Sequence, residues 1–188
     1  MKLNILILTG AMLPFSAFSS DTNQFNYFEL SKVDIPLDAP SEDLKGFGLD
    51  AKWSLNDTIY LSGIYQQYDN STSDINRKII GIGALTEINK YVIPFGQIDH
   101  IHLTSKSFNS KATMNQWRLS AGISGALNHI GYKIGFSRYF VNENNVSDAT
   151  VTLAEIFYSI NNKFSIGVEA ELGEDNTDIY SVAGRYHF

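Results

Sequence analysis

Four asparagine turns set the architecture of this chain. They read Leu55-Asn56-Asp57, Ile88-Asn89-Lys90, Leu127-Asn128-His129 and Ile160-Asn161-Asn162, with the asparagines 33, 39 and 33 residues apart. Each turn lies between two runs of alternating apolar and polar residues. The repeating unit is therefore a hairpin: strand, tight turn, strand, then a longer polar connection. Asn suits such turns because it tolerates left-handed backbone angles.

The alternation is explicit. In 47–53, Phe47, Leu49, Ala51 and Trp53 oppose Gly46, Gly48, Asp50 and Lys52. In 130–137, Ile130, Tyr132, Ile134 and Phe136 oppose Gly131, Lys133, Gly135 and Ser137. In 164–172, Phe164, Ile166, Val168, Ala170 and Leu172 oppose Ser165, Gly167, Glu169 and Glu171. A period of two is that of a strand with one apolar and one polar face.

Ten strands are predicted, over 25–34, 45–54, 58–68, 77–88, 91–103, 114–127, 130–140, 149–160, 163–172 and 179–188. Most are close to the 9–11 residues that a tilted membrane-spanning strand needs. The asparagine turns form one rim. Longer connections near 35–44, 69–76, 104–113, 141–148 and 173–178 form the other. Short turns on one rim and long loops on the other mark an all-β, antiparallel up-and-down transmembrane β-barrel. Ten strands are expected, with eight as the alternative. Pro94 and a change of phase after Phe95 predict a bulge or an edge-like kink in the fifth strand. The 149–160 strand is ambiguous in phase.

A soluble barrel would bury the apolar set, whereas a membrane barrel turns it to lipid and fills its interior with the small and charged set. The polar set here is mostly Gly, Ser and charge, which favours the membrane reading. Aromatics are expected in two headgroup belts. One holds Trp53, Tyr91, Tyr132, Tyr158, Phe164 and Phe188. The other holds Phe47, Tyr65, Trp117, Tyr139 and Tyr180.

Composition agrees. Residues 1–19 read as a cleaved signal peptide, with Lys2, the apolar run Leu3 to Leu13, and Ala17-Phe18-Ser19 at the cleavage site. The run is too short for a spanning helix. Residues 20–188 then form one domain. Removing Lys2 from 14 basic residues leaves 13 against 20 acidic ones, a net charge of −7. That balance argues against nucleic acid as a partner. With no cysteine, neither disulfides nor a lipidated N-terminal cysteine is expected.

The chain ends Tyr180-Ser181-Val182-Ala183-Gly184-Arg185-Tyr186-His187-Phe188. The terminal Phe188, with Tyr180, Val182 and Tyr186 on its face, resembles the C-terminal signal of Gram-negative outer-membrane proteins. The run from Lys45-Gly46-Phe47-Gly48-Leu49 to Ser62-Gly63-Ile64-Tyr65 is similar to the second hairpin of small OmpA-like and OmpX-like barrels. The resemblance implies a location in the bacterial outer membrane and handling by the barrel-assembly machinery. It also implies contact with membrane lipid and lipopolysaccharide. This chain departs from the eight-stranded members by one hairpin. No periplasmic domain is expected after the barrel, so peptidoglycan binding does not carry over.

Inward charges are expected at Glu29, Asp50, Lys52, Arg118, Lys133, Glu169, Glu171 and Arg185. Buried charges need partners, so these would pair across the lumen as a plug; a narrow charge-lined pore for small solutes is the runner-up. A third reading is a hydrolase on Asp99, His100 and His102, with Ser105 and Ser107 nearby. There, however, the two histidines share one face and Asp99 lies on the other. Acidic loop residues, among them Glu174-Asp175-Asn176-Thr177-Asp178, lack the EF-hand pattern. They read as solvated, bridged by divalent ions to lipopolysaccharide. No cofactor or metal site is expected. The protein is expected to be a monomer with a structural or surface-interaction role.

Overall fold

The computed structural model describes residues 25–37, 42–107, 110–141, 149–173 and 178–188. The expected signal peptide, Asp38, Glu143, Asp148, and Glu174 to Thr177 of the acidic loop lie outside these residues.

Ten strands form one closed antiparallel barrel. They are β1 (Tyr27–Ile35), β2 (Leu44–Ser54), β3 (Ile59–Asp69), β4 (Ser73–Leu85), β5 (Ile93–Ser107), β6 (Ser110–Leu127), β7 (Ile130–Val141), β8 (Ala149–Ser159), β9 (Phe164–Gly173) and β10 (Ile179–His187). Each pairs with its sequence neighbours, and β1 pairs with β10 to close the sheet. Closure leaves no free edge along the spanning part of the wall.

The stagger follows from the register. From Leu49, partners through β3 to β6 run Tyr65, Lys78, His102, Asn115. The other way round they run Leu30, Gly184, Ile166, Tyr158, Ile130, Leu127. The two routes meet β6 twelve residues apart, at 115 and 127. Such a stagger goes with strands tilted by about 40°. Hydrogen-bonded rows therefore climb the wall from β2 toward β6.

Side-chain parity is that of a membrane barrel. Phe28, Leu30, Leu49, Ile80, Ile82, Leu119, Ile134, Phe136, Ile166 and Val182 face outward and are exposed, while Glu29, Ser31, Lys52, Arg77, Asp99, Arg118, Ser137 and Arg185 are buried inside. A polar interior beneath an apolar exterior is stable only where the exterior meets lipid.

Three expectations are corrected. The connections at 69–76 and 104–113 are not long loops. β4 begins at Ser73, β5 continues to Ser107 and β6 starts at Ser110, so these strands project past the apolar belt. Polar ladders such as Thr104 opposite Thr113 continue pairing without an apolar alternation to reveal it. The ladder of β5 runs unbroken through Pro94 and Phe95. The irregularity falls earlier: Thr86 donates to the Pro94 carbonyl, whereas the isolated Asn89–Val92 bridge is one residue out of that register. Phe95 looks out of phase because the lumen itself turns apolar at that level.

The lumen also holds apolar clusters, which strand alternation does not predict. Phe25, Tyr60, Leu85, Ile93 and Phe95 pack together at the short-turn end. Ile79, Ile101, Tyr139, Val151 and Leu153 fill the outer half, and Val33, Leu44 and Tyr68 lie toward the loop rim. The phase of β8 is fixed by the fold: Val151, Leu153, Glu155 and Phe157 face inward. Tyr139, expected in the outer belt, is buried in the lumen at 9% exposure. Phe140, one residue on, faces outward instead.

Candidate functional site

The lumen is the best-defined chemical site. Every charge expected there from the sequence faces it, and Arg77, Asp99 and Glu155 join them. Adjacent strands place these groups at every second position, so their heights follow from register.

Two ion networks form. Toward the short turns, Arg185 Nε donates to Glu29 at 2.5 Å, and its Nη2 donates to Glu155 at 2.9 Å and Glu169 at 2.6 Å. The guanidinium fork is suited to such divergent carboxylates. Lys133 pairs with the other oxygen of Glu155, and Ser181 donates to Glu169. The Arg185 guanidinium lies 3.4 Å from the Phe157 ring centroid and 4.3 Å from that of Tyr27. These rings add cation–π contact in a desolvated place.

Toward the loop rim, Arg118 Nε donates to Asp99 at 2.8 Å and its Nη1 to Glu171 at 3.3 Å. Arg77 reaches Glu171 at 3.5 Å and the Tyr139 hydroxyl at 2.8 Å. That hydroxyl in turn donates to Glu171 at 3.1 Å. Gln97 donates to Asp99 at 2.6 Å and accepts from Tyr60 at 2.9 Å. Tyr139 is thus the centre of the second network, and its parity with Lys133 and Ser137 is the sequence signal that places it inside.

Asp50 and Lys52 face inward as expected but do not pair with each other. Lys52 lies against the Tyr27 ring at 5.4 Å and the Phe25 ring at 6.0 Å. The Oδ1 of Asp50 is buried without a hydrogen-bond partner. Glu155 escapes sequence reasoning because β8 shows apolar residues on both faces. Arg77 escapes it because its strand begins at Ser73, four residues before the predicted start at 77.

Two small lumen cavities flank Lys52. One, of about 70 Å³, is lined by Asp50, Gln66, Gln97, Arg118 and Glu169 among others. The other, of about 80 Å³, lies by Ser124, Ser159, Ser165 and His187 at the short-turn end. Both are far below the roughly 300 Å³ of an ordinary small-molecule site.

The Asp99, His100 and His102 group does not assemble. Asp99 is fully buried in the lumen against Arg118. His100 and His102 lie on the outer wall. His100 meets Trp117 edge-on at 5.1 Å, and His102 Nδ1 lies 2.9 Å from Asn115 Oδ1. The barrel wall separates acid from base, so no triad of these residues exists. Among the described residues, no group of three or more potential ligands could hold a metal ion.

This is a closed ten-stranded β-barrel with an apolar outer wall and a polar lumen. No family model and no curated protein matches the chain. Solved barrels resemble it in structure. The NanC porin covers 86% of this chain and 100% of its own at 7% identity, TM-score 0.48. The KdgM porin, solved with disordered oligogalacturonate, covers 86% and 99% at 10% identity, TM-score 0.47. Neisserial surface protein A covers 86% and 95% at 14% identity, TM-score 0.42. At such identities and scores no residue role transfers.

Proposed function

We propose that this protein is a small integral barrel of the bacterial outer membrane whose lumen is a structural plug. Its work is then done at its surface and its projecting strands. The observation that carries this reading is the pair of ion networks centred on Arg185 and on Arg118 with Tyr139, lying among apolar lumen clusters. A pore keeps its charges hydrated. Here the guanidiniums of Arg77, Arg118 and Arg185 are at least 90% buried and spent on carboxylates inside the wall.

Location and biogenesis belong to the same proposal. The apolar belt supplies a lipid-facing wall, and Tyr180, Val182, Tyr186 and Phe188 present one outward face as an assembly signal. Phe188 stacks on Phe28 at 5.0 Å and meets Trp53 edge-on at 6.1 Å.

The test is conductance of the refolded barrel in a planar bilayer, with folding shown by its heat-dependent gel mobility. A folded, silent barrel is the expected result. Discrete steps whose ion selectivity changes in Glu169→Gln/Glu171→Gln would replace the plug with a narrow channel.

A further inference from the structure

We propose that the outward wall of β4–β6 docks a phosphorylated glycolipid of the outer leaflet, through a basic strip at two heights. This rests on the outer-membrane reading above. The strip starts where the apolar belt stops. The row Ile80–His100–Trp117 is followed by Lys78–His102–Asn115, then Asn76–Thr104–Thr113, then Asp74–Lys106–Lys111. All these side chains share the outward parity of Ile80 and Trp117. Four of the positions carry basic groups, Lys78, His102, Lys106 and Lys111, against the single acid Asp74. The chain as a whole is acidic, at −6.

Elsewhere on the outer wall Lys32 and Lys45 stand beside acids. Lys32 lies 3.8 Å from Asp34, and Lys45 stands opposite Asp69 in the ladder. On β4–β6 only Lys106 faces an acid, Asp74, across the ladder, whereas Lys78 faces Tyr65 and His102, and Lys111 faces Lys106. Lys78, Lys106 and Lys111 form no ion pair with a described residue. Lys106 and Lys111 moreover stand directly opposite each other. Like charges in that relation destabilise a strand pair unless an anion lies between them. A phosphate shared by the two ammonium groups removes the cost.

Position selects the partner. The strip faces sideways, directly above a belt that only lipid can cover. Lys78 and His102 lie one row above the His100–Trp117 edge-on pair, at headgroup height. Lys106 and Lys111 lie four residues further along their strands, which is about 13 Å of strand. A simple phospholipid has its phosphate at one height only. A glycolipid with phosphate on an extended sugar headgroup offers anions at both. Basic side chains near a membrane surface each contribute measurably to holding anionic lipid.

The test uses the Trp53→Phe variant, which leaves Trp117 as the only tryptophan. The folded barrel in zwitterionic detergent is titrated with purified lipopolysaccharide, and Trp117 emission is followed. A saturable change is expected, weakened about fivefold per lysine in Lys78→Gln and in Lys106→Gln/Lys111→Gln. Dephosphorylated glycolipid should bind at least tenfold more weakly. Equal binding by the lysine variants, or by dephosphorylated glycolipid, overturns the proposal. So does loss of binding in EDTA, which would assign the contact to metal-bridged acidic loops. Displacement by millimolar inorganic phosphate would assign it to a free-anion site and equally overturn it. Every variant lies on the outer wall, and gel mobility reports folding separately. A folded barrel that fails to bind thus leaves the plug reading standing.

Discussion

At the scale of single residues, Arg185 carries the most. It holds Glu29, Glu155 and Glu169 together from inside the wall. Arg185→Met should cost about 3–5 kcal/mol, since it leaves buried carboxylates without their partner. Urea-midpoint measurements on folded barrel would read the loss, and Arg185→Lys should recover only part of it because an ammonium cannot fork. Gly83 tests packing in the same lumen. A Cβ there would run into the ring of Tyr60, which is fully buried. Gly83→Ala should therefore destabilise by about 1–3 kcal/mol through overpacking, whereas Gly63→Ala, with open space around its Cβ, should leave the midpoint unchanged. Parity alone makes most of the lumen legible in the sequence: the eight charges expected inside all face inward. Tyr139 goes against expectation because an aromatic near the rim suggests a belt, although its odd position in β7 sets it with Ser137. Glu155 is hidden by apolar neighbours on both faces of β8, where burial inside the lumen imitates exposure to lipid.

At the scale of turns and strands, the asparagines work mostly through their side chains. Among the described residues other than glycine, only Asn128 has a left-handed backbone, with φ of 55°. Asn56 and Asn161 instead accept from the amides two and three residues on: Thr58 and Ile59 at 2.8 Å each, and Lys163 and Phe164 at 2.8 and 3.0 Å. Asn70 makes the same turn on the opposite rim, capping Thr72 and Ser73. In sequence it reads as part of a long loop, because no apolar alternation flanks it on the β4 side. Asn70→Ala should loosen the β3–β4 tip while Asn70→Asp keeps the acceptor, a contrast that amide exchange at Ser73 would show. This tip is also tied to the β1–β2 connection. Ser71 donates its amide to Glu42 at 3.1 Å, and Asn70 donates to the Glu42 carbonyl. Hydrogen bonds from Ser71 hold the Glu42 carboxyl below its ordinary value. A lowered carboxylate stabilises the folded link above the ordinary value, and the contribution is lost as pH falls through the lowered one. The protection factor of the Ser71 amide should be level at neutral pH and drop in acid, and Glu42→Gln should flatten that profile.

For the whole molecule, closure is the defining event. The last strand pairs with the first, and the Glu29–Arg185 contact spans 156 residues of sequence. Removing residues 179–188 should abolish the heat-resistant band on gels altogether, because β1 and β9 would both lose their neighbour and Arg185 would go with them. A barrel merely lowered in stability would instead show the band with a reduced midpoint. The fold class and strand number are legible from the asparagine spacing and the period of two. The full height of β4–β6 is not, since past the apolar belt the outward residues turn polar and the period of two fades. Neighbouring strands already pair Lys133 with Glu155 and Arg185 with Glu169, but Glu29 meets Arg185 and Arg77 meets Glu171 only in the closed ring, so an open sheet would leave Glu29 and Arg77 without these partners. Assembly is thus committed in time as well as in shape. Loop closure over so long a separation is slow, and Glu29 stays unpaired until β10 arrives, so the chain must be sheltered until its last strand is in place.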